Sequence, residues 1–170
     1  APRASAAVAV LAKAPVPGQA KTRLMPALGA VGAARAQRGF ALQTLATARA
    51  ASTGALTLWC APDAGHRFFR ALQQRQGVAL ANQPPGDLGH RMATVMLAHF
   101  ARTPHQALLI VGTDCPVLTP AHLQQAADAL QSHDAVLIPA EDGGYVLIGL
   151  RRPLPEVFKG VAWSTPRVLA

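Results

Sequence analysis

Six short apolar runs, each of strand length, alternate with stretches of helical periodicity along the 170 residues. That alternation confines the chain to an α/β sheet flanked by helices. The runs are Val8 to Leu11, Ala55 to Cys60, Val78 to Ala81, Ala107 to Val111, Ala135 to Pro139 and Tyr145 to Leu150. Helices are expected between them, near Ala27 to Ala51, Ala64 to Gln74, Leu88 to Ala101 and Pro120 to Gln131. The first carries Phe40, Leu42, Leu45 and Ala48 at helical spacing, a stripe that reads as core. Asp87 and Thr119 stand where N-caps belong, and Pro120 suits the first helical position. With 51% apolar residues and no repeat, linker or low-complexity tail, one domain over residues 1–170 is expected. The chain stops at Ala170, soon after Trp163-Ser-Thr-Pro-Arg begins another helical segment, so that domain is expected to lack its C-terminal end.

A formal net charge of +8 with only eight acidic residues points to an anionic partner. The arginines are scattered (Arg35, Arg38, Arg49, Arg67, Arg70, Arg75) and aromatics are 5%, so the clustered basic face with stacking rings that nucleic acid requires is not expected. A small phosphorylated ligand fits the charge better. Cys60 and Cys115 lack any zinc or redox spacing and read as reduced cysteines of a cytoplasmic protein. The Ala-rich start is followed by Lys13 and Pro15 where a cleavage site would fall, and no apolar stretch is long enough to cross a bilayer.

The stretch Lys13-Ala-Pro-Val-Pro-Gly-Gln-Ala-Lys-Thr-Arg-Leu24 sets a cationic loop directly after the first apolar run. Pro15, Pro17 and Gly18 stop that run from continuing into a helix, so the backbone turns at the strand's carboxyl end. Ligands of open α/β sheets bind at that end, which offers Lys13, Lys21 and Arg23 to a phosphate. The spacing matches neither the Walker pattern nor Gly-x-Gly-x-x-Gly. A soluble connection rich in charge is the other reading of the same loop.

Three further segments carry candidate chemistry. Asp114, in Gly112-Thr-Asp-Cys-Pro116, falls just past a buried strand's carboxyl end. Mg²⁺ takes one or two carboxylates and completes its shell with water and phosphate oxygens, so one Asp there suffices to begin a site. Glu141 and Asp142 precede Gly143, Gly144 and Tyr145. A hairpin turn of the Asp-Gly type and a ligand-facing loop are both compatible with that string. Gly86-Asp-Leu-Gly-His-Arg-Met92 opens a helix whose amides and Arg91 favour an anion, with an ordinary cap by Asp87 as the alternative.

Together with Trp163-Ser-Thr165, these strings resemble the DUF2064 group, assigned as glycosyltransferases related to the nucleotide-diphospho-sugar transferases of GT-A type. Five strings in order cover nearly the whole chain. The resemblance implies a GT-A, Rossmann-like three-layer sandwich with a mostly parallel central sheet flanked by helices. It places Lys13, Gly18, Lys21, Arg23, Asp87 and Arg91 on the nucleotide and its phosphates, and Asp114 on Mg²⁺ or Mn²⁺. Glu141, Asp142, Gly143, Gly144, Tyr145 and Trp163 fall on the sugar or acceptor side, with Asp114, Asp142 and Arg23 carrying catalysis. His90 stands where relatives are expected to carry an acid.

The expected function is metal-dependent transfer of a sugar from a nucleotide-diphosphate donor to a small acceptor. A nucleotidyltransferase releasing pyrophosphate from an NTP and a non-catalytic nucleotide-binding module are the alternatives. The expected partners are a nucleotide or NDP-sugar and a small acceptor, with no nucleic acid and no membrane.

Overall fold

The computed structural model describes residues 5–15, 25–113, 118–140 and 144–159. Strands β1 (Ala6–Lys13), β2 (Leu56–Ala61), β3 (Ala79–Asn82), β4 (Ala107–Gly112), β5 (Ala135–Pro139) and β6 (Tyr145–Leu150) form one sheet in the order β3-β2-β1-β4-β6-β5. The pairs β1–β2, β2–β3 and β1–β4 are parallel. Strand β6 alone runs against its neighbours β4 and β5. The mostly parallel α/β architecture expected from the sequence is therefore present.

Helices α1 (Met25–Ala51), α2 (Arg67–Gln76), α3 (Leu88–Arg102) and α4 (Pro120–Ala129) fill the connections, and a 3₁₀ turn covers Pro155–Phe158. Alternation along β1 divides the core between the two sheet faces. Val8, Val10 and Ala12 pack with Leu45 of α1, Phe69 and Leu72 of α2 and Leu123 of α4. On the other face, Ala7, Ala9 and Leu11 pack with Met92, Val95 and Met96 of α3 and with Phe158. Both faces of β1 are covered, so its sequence is continuously apolar up to the exposed Lys13.

Helix boundaries follow local chemistry. Gly29, at φ 73°, interrupts the geometry near the start of α1. Leu45 is the fully buried member of the expected stripe, with Ala41 and Ala48 beside it, while Phe40 and Leu42 are half-buried. Helix α2 begins at Arg67 instead of Ala64, because Asp63 Oδ1 accepts from the Gly65 amide at 2.7 Å and Asn82 Oδ1 from the Ala64 amide at 2.7 Å. His66 then caps the helix, its Nδ1 accepting from the Phe68 N–H at 3.1 Å. Thr119 caps α4 in a capping box completed by His122, with Pro120 in the first turn. Among the described residues, no helix is long and apolar enough to cross a membrane.

Candidate functional site at the carboxyl edge of the sheet

The strand order reverses between β1 and β4: the chain builds outward from β1 through β2 to β3, then returns to place β4 on the other side. In open α/β sheets the crevice at such a reversal, beyond the carboxyl ends of the strands, is where ligands bind. Lys13 ends β1 at this crevice, and Gly112 ends β4. Strand β6 runs antiparallel to β4, so its first residue, Tyr145, lies at the same edge of the sheet.

Two glutamine side chains fix the end of β1. Gln37, 2% exposed among the apolar residues of α1, donates its amide to the Lys13 carbonyl at 2.8 Å and, in a longer contact of 3.4 Å, to Thr113 Oγ1. Gln83, just beyond β3, donates to the Ala12 carbonyl at 3.1 Å and to the Trp59 carbonyl at 2.9 Å. Two carbonyl acceptors demand the amide nitrogen on that side, which leaves Oε1 to accept from Arg91 Nη1 at 3.3 Å. Arg91 Nε in turn donates to the Gly86 carbonyl at 2.9 Å.

Helix α3 opens beside this network. Asp87 Oδ1 accepts from the His90 amide at 2.8 Å, the geometry of an N-cap. The cap reading of Asp87 is thus realised in the geometry, and Arg91 is engaged with the loop before the helix. A cavity of about 450 Å³ lies at this helix start, lined by Asp87, Leu88, His90, Phe158 and Lys159. A second, of about 290 Å³, lies on the α3 face of the sheet and includes Trp59 and His99, but none of the expected site residues lines it. Tyr145 is half-buried against the α3-face core. Residue 140 approaches 144 through an amide-to-carbonyl bond of 2.8 Å, which closes the connection between β5 and β6.

Of the residues expected at the site, Lys13, Asp87, Arg91, Gly144 and Tyr145 are described, and the topology brings Lys13, Asp87, Arg91 and Tyr145 to one edge. Gly18, Lys21, Arg23, Asp114, Glu141, Asp142, Gly143 and Trp163 lie outside the described residues. Among the described residues there is no group of three or more His, Cys, Asp or Glu able to hold a metal ion. Asp114, the expected metal residue, lies outside the described residues. Burial pushes the thiol of Cys60, in β2, up to about 12, against an opposing hydrogen bond with the Ala81 backbone and with a smaller upward push from Asp63. Gln37 and Gln83 were not foreseeable as site residues, since a lone glutamine carries no motif and their partners lie up to 76 residues away.

Residues 44–165 match the family model DUF2064, described as an uncharacterized protein conserved in bacteria. The chain belongs to this family. It is similar to a putative nucleotide-diphospho-sugar transferase from Desulfovibrio desulfuricans G20, with 32% identity and a TM-score of 0.81 over 94% of this chain and 69% of that one. More distant folds are similar as well. One is Rv0371c from Mycobacterium tuberculosis H37Rv, at 19% identity and TM-score 0.60, over 94% of this chain and 78% of that one. Another is the 4-diphosphocytidyl-2C-methyl-D-erythritol synthase from Anaerococcus prevotii DSM 20548, at 12% identity and TM-score 0.56, over 96% of this chain and 79% of that one. No curated protein sequence matches the chain.

Proposed function

We propose that the protein is a nucleotide-dependent transferase that moves a sugar from a nucleotide-diphosphate donor to a small acceptor. The observation that carries this reading is the reversal of strand order between β1 and β4, because the cationic loop leaves one of those strands and Asp114 follows the other. Similarity to the Desulfovibrio nucleotide-diphospho-sugar transferase supports the choice of donor.

In this reading Lys13, Lys21 and Arg23 bind the diphosphate, and Gly18 lets the backbone approach it. The bond between the sugar's anomeric carbon and the diphosphate oxygen breaks, a new one forms to an acceptor hydroxyl, and that hydroxyl gives up its proton. Negative charge grows on the departing diphosphate, where fixed cations stabilise it more than they stabilise the bound donor. Mg²⁺ or Mn²⁺ held by Asp114 would supply further neutralisation of that charge. Glu141, Asp142, Gly143, Gly144, Tyr145 and Trp163 orient the sugar and acceptor, and Asp142 accepts the acceptor proton.

Product analysis with a panel of NDP-sugars and Mg²⁺ tests the proposal. Free NDP is the expected product; pyrophosphate released from an NTP would assign a nucleotidyltransferase instead, and binding without turnover a nucleotide-binding module. Asp114→Asn should abolish metal-dependent nucleotide binding with the fold intact, and equal affinity in variant and parent would refute the metal role. Asp142→Asn should lower kcat more than it weakens binding of the bare nucleotide, whereas a purely structural turn would tolerate it.

A further inference from the structure

We propose that Gln37 and Gln83 are positioning residues that brace the exit of β1 from opposite sides and so fix the departure of the phosphate loop; the inference rests on the nucleotide reading above. The two amides take consecutive β1 carbonyls, Ala12 by Gln83 and Lys13 by Gln37. Beyond Lys13 the chain enters Pro15 and Pro17, which offer no amide hydrogens to a ladder. Among the described residues, the last backbone bond of this strand is the Ala14 amide to the Ala61 carbonyl at 2.7 Å.

Each glutamine also reaches a second strand end. Gln83 joins β1 to β2 through Trp59 and is itself held by its own amide on the Cys60 carbonyl at 2.9 Å. Gln37 joins β1 to the end of β4 through Thr113, the residue before Asp114. A buried glutamine among the alanines of α1 costs desolvation that an apolar residue would avoid, unless its hydrogen bonds are made. Here they are made to the two strand ends that flank the reversal. The brace therefore holds, relative to each other, the strand ends from which the cationic loop and the Asp114 loop depart.

Gln37→Met and Gln83→Met remove the amides at similar volume. Thr113→Val cuts only the link to β4, and serves if a glutamine variant does not fold. Thr44→Val is the control, since Thr44 is buried in the same helix and its hydroxyl donates to the Phe40 carbonyl within that helix. Calorimetry with Mg²⁺ would compare an NDP with its parent nucleoside, and hydrogen exchange would follow the Ala14 amide and the 107–113 segment without ligand. Each glutamine variant is expected to exchange faster at the β1 exit and to bind the NDP roughly three- to tenfold more weakly relative to the nucleoside. Thr113→Val should speed exchange in 107–113 and Thr44→Val should do neither. An unchanged NDP-to-nucleoside ratio with faster exchange overturns the positioning role, and unchanged exchange overturns the brace itself. A parent protein that binds no NDP refutes the nucleotide reading and with it the positioning role, while exchange still decides whether the brace exists.

Discussion

The two ends of the sheet are built differently. At the amino end the connections are short and backbone bonds secure the strand residues: the Ala6 amide donates to the Thr53 carbonyl at 3.1 Å and the Val8 amide to the Ala55 carbonyl at 2.8 Å, while side chains such as Gln124, on the Ala51 carbonyl at 3.1 Å, hold helix ends instead of strands. Gly54 is wedged so tightly that a Cβ there would stand 2.5 Å from the Ala6 carbonyl oxygen. At the carboxyl end, connections such as 14–24 and 113–119 are longer than 77–78 and 103–106 at the other. There, glutamine side chains from distant elements hold the strand ends. Side chains that fix the strand ends relieve the loops beyond them of that task, which is what ligand-binding loops on a rigid scaffold require.

That contrast predicts a division of effects. Substitutions at the carboxyl end should cost binding with little loss of stability, and substitutions at the amino end the reverse. The largest effect short of the Asp114 variant is expected for Arg23→Ala, since losing a charge-assisted phosphate contact costs roughly 1.5 to 3 kcal/mol of binding. Calorimetry with NDP and nucleoside reads it: the NDP alone should weaken, and equal weakening of both would remove the loop from phosphate recognition. Gly54→Ala should instead destabilise the fold by about 1 to 3 kcal/mol, because the blocking atom is backbone and cannot swing aside. Denaturant unfolding measures that loss. A variant as stable as the parent, or one with impaired NDP binding, would break the contrast.

Much of this arrangement was readable before the fold was known. All six strands appear within two residues of their expected limits, because each is an apolar run bounded by Gly, Pro or polar residues. The start of α2 was displaced by three residues, since His66 is an unusual cap and its loop depends on Asn82, eighteen residues from Ala64. The antiparallel sense of β6 was only loosely indicated, by the short Gly-rich link after β5. The paired glutamines were illegible for a physical reason: their partners are backbone carbonyls, which every residue possesses, and only the fold selects which ones they meet. Asp87 carried two readings in the sequence, and the cap geometry is the one the described contacts display.

A smaller effect is expected at Cys60, buried near the carboxyl end of β2. Its thiol, ordinarily near 9.0, is pushed up to about 12 by burial. Below pH 9 the thiol is neutral in folded and unfolded chains alike and adds no pH dependence. Between 9 and 12 only the unfolded chain releases the proton, so the stability contributed by the buried neutral thiol falls as pH rises. In a Cys115→Ser background the native protein should resist thiol reagents at pH 8, and unfolding midpoints should drop above pH 9 more steeply than in Cys60→Ala. Rapid labelling of the native protein would show that β2 opens locally and that the core is not uniform between the two ends.

The smallest effect belongs to the ion pairs at the amino end. Asp134 accepts from Arg152 at 3.0 Å and from Arg151 at 2.6 Å, and these hydrogen bonds, that of Arg152 first, hold its carboxyl below the usual carboxylate value. All three side chains are 40% exposed or more, so water and salt screen the attraction. The shift stabilises the fold only above the ordinary carboxylate value and is lost as pH falls through the lowered one. The backbone bond from the Arg151 amide to the Asp134 carbonyl, at 2.9 Å, survives a change of side chain. Asp134→Asn should therefore leave the melting temperature at pH 7 almost unchanged, with a difference from the parent that vanishes in high salt. A loss comparable to that of Gly54→Ala would mean that a side chain secures the start of a strand at the amino end as firmly as the backbone does, and the contrast between the two ends would fail.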